Sequence, residues 1–249
     1  MWQYLGLVSR AWRYRFKVER EEIGFVLRNL RPGDTAIDIG AHKGAFTYWM
    51  RRKVGSQGSV LAFEPQPVLA ARLRSVTRSW PNVAVENMGL SSRSGTLSLR
   101  MPAGGPSPVA TLEPRRMTAG MLEIPVPVTT LDEYLAGTNK PLRRIDLIKC
   151  DVEGHELEVF RGAERTLRKH RPILLFEREI RHCGGQPIAL AFDYLRELGY
   201  RGHFPIGSKL YDIAQFDPTR HQAGARAGAY VNNFIFMPDS MPQVALAAA

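Results

Sequence analysis

The stretch Thr35-Ala-Ile-Asp-Ile-Gly-Ala-His-Lys-Gly-Ala-Phe-Thr47 constrains this chain more than any other. A short apolar strand runs to Ile39, Gly40 and Gly44 bracket a tight turn, and a helical pattern begins at once. Glycines at such a turn let the backbone approach a ligand and leave the first amides of the helix free. A strand feeding directly into a helix is half of a crossover unit, and crossovers build parallel sheets. In open sheets of that kind ligands bind outside the carboxyl ends of the strands, where this turn lies.

The alternation continues along the chain. Ile23, Val26, Leu27 and Leu30 repeat at helical spacing, and Arg31-Pro32-Gly33-Asp34 stops that helix. After the strand Thr35–Ile39 come a helix over Gly44–Lys53, a strand over Val60–Phe63 and a helix over Pro67–Arg78, with Pro67 in the favoured first turn. Val83 and Val85 mark a third strand, Thr96–Arg100 an added antiparallel piece, and Leu131–Leu135 a short helix. Ile145–Cys150, Leu157–Leu167, Ile173–Phe176 and Ile188–Leu198 read as strand, helix, strand and helix. Leu210–Ile213 and Val231–Phe236 close the series as strands. The expected fold class is α/β, doubly wound, with helices on both faces of a mostly parallel sheet. Met101–Pro127, rich in Pro, Gly, Ser and Thr, is expected as a long irregular excursion of the kind that forms lids and binding loops. A chain of 249 residues suits one domain over 31–238, with a helical extension over 1–30 and a tail over 239–249.

Composition narrows the partners. Lys and Arg number 34 against 24 Asp and Glu, a net charge of +10, so the surface field favours anionic partners. No contiguous basic run marks a nucleic-acid tract, and nucleic acid is not the expected partner. Cys150 and Cys183 are too few for a disulfide framework, which fits a reducing cytoplasm. No stretch approaches the ~18 apolar residues of a membrane span, and a secretory signal is not expected. The first residues instead interleave Trp2, Tyr4, Leu5, Trp12, Tyr14 and Phe16 with Arg10, Arg13, Arg15 and Lys17. Such a segment lies on a membrane surface or clamps a substrate, or else packs on the domain as a helix. Packing is the expectation, because its apolar positions are not cleanly one-sided.

Three clusters carry candidate chemistry. Asp38, Gly40, Ala41, His42 and Gly44 form the turn after the first strand, spaced unlike the dinucleotide fingerprint G-x-G-x-x-G. Phe63-Glu64-Pro65 sets a carboxylate at the end of the next strand, placed to accept hydrogen bonds from both hydroxyls of an adenosine ribose. Asn87, at the end of the third strand, borders the place of an adenine. Asp146-Leu-Ile-Lys-Cys-Asp-Val-Glu-Gly-His-Glu156 carries an apolar strand out into Asp151, Glu153 and His155, and Glu177 ends the following strand on the same edge. Ionisable groups gathered in this way suit proton transfer. Their spacing matches no closed metal site, and no metal is expected.

Together these segments resemble the FkbM family of methyltransferases. The likeness is carried by DIGAHKGAFT, AFEPQP, VTTLDEYL (Val128–Leu135), DLIKCDVEGHELEVFRGAERTL and PILLFE, from Arg31 to Glu179. The resemblance implies a class I, Rossmann-like fold with a seven-stranded, mostly parallel sheet whose last strand is antiparallel, and S-adenosylmethionine as cofactor. It implies that Asp38, Gly40, Gly44 and Glu64 line that cofactor and that Asp151 to Glu156 border the reacting centre. The expected activity is methylation of a hydroxyl on a sugar, polyketide or glycolipid acceptor. His155 or Asp151 would serve as base, with Glu153 or Glu177 orienting it. The competing readings are an RNA ribose 2′-O-methyltransferase built on Lys149, Asp151, Lys169 and Glu177, and a nucleoside-binding module without turnover.

Overall fold

Every residue of β1 (Thr35–Ile39) is buried, as expected of a strand with parallel neighbours on both sides and helices on both faces. The computed structural model describes residues 2–113, 120–138, 142–207, 209–225 and 230–241. In it β1 pairs in parallel with β2 (Ser59–Phe63) and with β7 (Leu147–Cys150). β3 (Val83–Glu86) extends the sheet beyond β2, and β8 (Ile173–Glu177) extends it beyond β7, both in parallel. β11 (Asn233–Pro238) inserts antiparallel between β8 and β9 (Tyr200–Ile206), and β10 (Lys209–Asp212) closes that edge. The order is β10-β9-β11-β8-β7-β1-β2-β3. This is the expected mostly parallel sheet with its reversed last strand, and it has eight strands where seven were expected. The chain winds one way from β1 to β3 and the other way from β7 to β8. The β1/β7 boundary is therefore the switch point where such folds open a crevice.

Alternating side chains divide the core between the two faces. On one face α1 (Trp2–Arg13), α2 (Arg20–Asn29) and α3 (Ala45–Val54) bring Leu7, Ala11, Ile23, Val26 and Met50 against Ala36, Leu147 and Leu175. On the other, α8 (Ala189–Glu197) and the helices after β7 pack around Phe160, Phe176, Phe192, Phe234 and Phe236. Along β11, Phe234 and Phe236 join the second cluster while Ile235 and Met237 join the first. Burying side chains of this size stabilises by about 1.5–3 kcal/mol each. α4 (Pro67–Thr77) keeps its proline in the first turn and turns Leu69 and Leu73 inward.

The excursion over Met101–Pro127 holds more order than its composition suggests. β6 (Met121–Thr129) pairs antiparallel with β5 (Gly95–Pro102) and parallel with β4 (Gly89–Leu90), giving a second sheet. Pro125 and Pro127 hid the strand, since proline donates no ladder hydrogen bond. β4 reaches only Val128 and Thr129, so both prolines stand where β6 has a single neighbour. They are exposed, while Val126 and Val128 are buried. Residues 114–119 of the excursion, and residues 242–249 of the expected tail, lie outside the described residues.

Two further differences have local causes. The helix expected over Leu157–Leu167 divides into α6 (Glu156–Arg161) and α7 (Glu164–His170). The break falls at Gly162, where a side chain would stand 2.0 Å from the Ser91 carbonyl oxygen. β9 was not expected at all, because Gly202, His203 and Pro205 interrupt its apolar pattern.

Candidate active site

The turn after β1 is tied to the tip of β2. Gly40 and Ala41 both donate their amides to the Phe63 carbonyl at 3.0 Å. His42 donates its amide to Glu64 Oε2 at 2.6 Å, and Gln66 donates its own to Oε1 at 2.8 Å. Gly40, Ala41, His42, Glu64 and Pro65 form one rim of a cleft at the switch point. Burial pushes the Glu64 carboxyl up to about 7, although the two amide bonds favour its charged form. Burial likewise pushes the His42 imidazole down to about 4, so that ring is neutral.

The opposite wall comes from the second sheet and the excursion. Leu90, Leu99, Ala110 and Leu112 give it an apolar surface. Residues 103–113 are clasped to the first rim by two bonds, Ser107 N–H to Gln66 Oε1 at 2.9 Å and Gln66 Nε2 to the Ser107 carbonyl at 3.0 Å. The Thr111 hydroxyl donates to the Glu153 carbonyl at 2.7 Å, fixing the excursion to the loop after β7.

At the floor, Lys149 projects from the end of β7. Its ammonium lies 3.2 Å from Asp151 Oδ2, 4.0 Å from Asp38 Oδ1 and 4.9 Å from the centre of the Phe46 ring. Burial alone would lower its proton affinity, but Asp151 and Asp38 outweigh burial and raise it, so the lysine is charged. Asp151, Glu153 and Glu177 also line the cleft. Glu153 sits at φ 54, a left-handed conformation rare for a side-chain-bearing residue, and its Oε2 is 2.7 Å from His182 Nδ1. Burial, the Asp151 charge and a hydrogen bond shared with Glu179 all raise the proton affinity of Glu177.

The sequence signature described as the methyltransferase FkbM domain matches residues 38–201, well over half of the chain. The chain belongs to the FkbM methyltransferase family. It is 32% identical over 166 residues to the methyltransferase sdnD of Sordaria araneosa, covering 55% of this chain and 63% of that protein. It is 30% identical to the hexuronic acid methyltransferase AglP of Haloferax volcanii, covering 72% of this chain and 70% of AglP. It is 25% identical to the 2-O-methyltransferase NoeI of Sinorhizobium fredii, covering 77% and 82%. The chain thus spans less than two thirds of sdnD's length. The crystal structure of the methyltransferase FkbM from Methylobacillus flagellatus superposes with a TM-score of 0.51 at 17% identity, over 82% of this chain and 43% of that one, and shows the shared fold.

In this member of the FkbM family several expected site residues take other places. His155 does not line the cleft. It is buried, its Nε2 is 2.9 Å from the Ser91 hydroxyl and its Nδ1 has no hydrogen-bond partner among the described residues. Burial pushes its imidazole down to about 4. Its place at the start of α6 turns it toward Ser91, so the structure does not bring His155 to the cleft with Asp151, Glu153 and Glu177. Asp38 lies beneath the cleft, fully buried, with Oδ2 accepting the Thr47 hydroxyl at 2.5 Å. Asn87 donates its amide to the Glu64 and Pro65 carbonyls at 3.0 and 3.1 Å, and Met88 to Leu90 take the wall instead. The two glycines answer first to the protein's own neighbours. A side chain at Gly40 (φ 75) would meet the Asp151 carbonyl oxygen at 1.9 Å, and one at Gly44 would meet Leu73 at 2.4 Å. Gly40 lines the cleft; Gly44 does not.

The four residues of the ribose 2′-O reading do not assemble. Lys149, Asp151 and Glu177 meet at the carboxyl edge, but Lys169 is exposed near the end of α7, which leads into the opposite end of β8.

The N-terminal segment, for which a substrate clamp is one of the readings, brings Arg10 and Tyr14 to the cleft, and Glu19, which sequence reasoning missed, lines it too. Burial, helped by Glu22, pushes the Glu19 carboxyl up to about 8. Lys149 had a readable signal: a lysine inside an apolar buried strand needs a partner.

Proposed function

We propose that this chain methylates an oxygen, using S-adenosylmethionine and a hydroxyl of a sugar, polyketide or glycolipid acceptor. One observation carries the reading: a single cleft joins the amide-and-carboxylate rim at the β1 and β2 tips to the Lys149–Asp151 pair at β7. The rim suits a nucleoside, with Glu64 available to ribose hydroxyls through its remaining lone pairs and with Met88 and Leu90 bordering the base. The names of AglP and NoeI support an oxygen on a sugar as acceptor.

Bound in the cleft, S-adenosylmethionine supplies an electrophilic methyl group with a neutral thioether as leaving group. The chain's own residues must then bring the acceptor oxygen within about 3–3.5 Å of the methyl carbon and keep water out. Asp151, a third exposed at the floor, takes the hydroxyl proton. The Lys149 ammonium holds Asp151 in place and stabilises negative charge growing on the oxygen. Glu177, whose proton affinity is raised, gives its acidic hydrogen to Glu179 and orients the acceptor hydroxyl through its remaining oxygen lone pairs.

The test is transfer from methyl-labelled S-adenosylmethionine to a panel of glycosyl and polyketide acceptors, with the product site found by mass spectrometry. Asp151→Asn is expected to lower turnover by about 10²–10⁴-fold with cofactor affinity within a few fold. Full turnover in that variant, or transfer only to nitrogen or carbon, overturns the reading.

A further inference from the structure

The exposed face of α1 is apolar, aromatic and edged with cations. Trp2, Leu5, Trp12 and Phe16 are 84%, 52%, 47% and 56% exposed. Their spacing places them on one side of the helix and of the π-helical turn Tyr14–Val18 that continues it. The opposite side, through Leu7 and Ala11, is buried against the domain, and Trp49 Nε1 donates to the Ala11 carbonyl at 2.8 Å. The helix is therefore anchored, and its outward rings are held out by the fold. Trp12 stacks on Phe16 with centroids 5.5 Å apart and meets Trp49 edge-on at 5.3 Å, which makes a fixed aromatic plate.

Charge surrounds this plate on one side of the scale only. From Trp2 to Val18 the chain carries Arg10, Arg13, Arg15 and Lys17 and no acidic residue. Arg13 and Lys17 are exposed, and the Arg15 guanidinium lies 5.4 Å from the Phe16 ring centre. Near the other end Arg51 covers Trp80 at 5.1 Å, and Trp80 meets Tyr4 at 6.2 Å. A second copy of the same face would oppose cation to cation. A bilayer with anionic headgroups matches both features, taking aromatic rings at headgroup depth and cations at the phosphates.

We infer that α1 docks this chain on an anionic lipid surface, with Trp2, Leu5, Trp12 and Phe16 entering the headgroup layer and Arg13 and Lys17 pairing with phosphates. The same segment gives Arg10 and Tyr14 to the cleft, so docking sets the cleft mouth beside the bilayer. A lipid-borne acceptor is the consequence, and that consequence alone rests on the methyl-transfer reading.

The test is co-sedimentation of the full chain with phosphatidylcholine vesicles, with and without about one-quarter phosphatidylglycerol, alongside tryptophan quenching by brominated lipid. Binding is expected only to the anionic vesicles, with quenching, and it weakens as salt rises. Arg13→Gln with Lys17→Gln is expected to weaken binding about thirtyfold, from about 1 kcal/mol per cation. Trp2→Ser with Leu5→Ser is expected to abolish quenching while circular dichroism stays unchanged. Equal binding to uncharged vesicles, no binding to anionic ones, or a sedimentation-velocity dimer lost with the Trp2 and Leu5 variant would overturn the inference. None of these readouts requires turnover.

Discussion

The ammonium of Lys149 stands 3.2 Å from Asp151 Oδ2, at the junction of the fold's switch point and its cleft. The same ammonium faces Asp38 Oδ1, a buried oxygen that accepts no hydrogen bond among the described residues. Lys149→Met is therefore expected to leave a buried carboxylate uncompensated and to destabilise by about 3–5 kcal/mol. Adding Asp38→Asn should recover part of that loss, because the two changes share one interaction. Urea denaturation of the single and double variants measures both effects. Additive losses would contradict the coupling.

His155 separates geometry from residue type. Because its ring meets Ser91 and not the cleft, His155→Gln is expected to keep turnover within about fivefold of the unaltered chain, whereas loss of a general base removes 10²–10⁴-fold. Its folded pKa of about 4 lies below its ordinary 6.5. Between those values the unfolded chain binds a proton that the folded chain refuses, so this contribution is present above about 6.5 and is lost as pH falls toward about 4. The variant should lose less stability over that interval, as read from denaturation midpoints at several pH values. A collapse of turnover would return His155 to the mechanism.

Behind the β7 loop, Arg178 and Glu156 form an ion pair at 2.9 Å with both side chains 1% exposed. Glu156 Oε1 also accepts the Gly154 amide at 2.9 Å, so the pair holds the loop that presents Glu153. Arg178→Met should cost about 3–5 kcal/mol, and Arg178→Met with Glu156→Leu much less. Both variants should lower kcat more than they weaken cofactor affinity, because in the proposed reaction this loop borders the acceptor. Unchanged kcat in both would detach the pair from catalysis.

The sheet was readable where one physical signal dominated. Thr35–Ile39 is apolar because both faces of β1 are covered, and Glu64 was readable as an acid at a strand tip. The strand β6 was not, because Pro125 and Pro127 broke a pattern that only an open neighbour position tolerates. The placement of His155 away from the cleft was not readable because a helix start turns successive residues to different sides, and the sequence does not say which side meets the cleft. Arg10, Tyr14 and Glu19 return to the cleft through tertiary packing of α1 on α3, which no local spacing encodes.

Titration calorimetry with S-adenosylhomocysteine tests the shared nucleoside rim most directly. In the proposed complex the ribose hydroxyls donate to the charged form of Glu64, whose pKa is raised to about 7. Affinity should therefore rise with pH up to about 7 and level off above it. Glu64→Gln should weaken binding about 10–100-fold, as expected for hydrogen bonds to a charged acceptor, and flatten the pH dependence. Micromolar affinity with that pH profile is the predicted result; no binding, or equal affinity in Glu64→Gln, would contradict it.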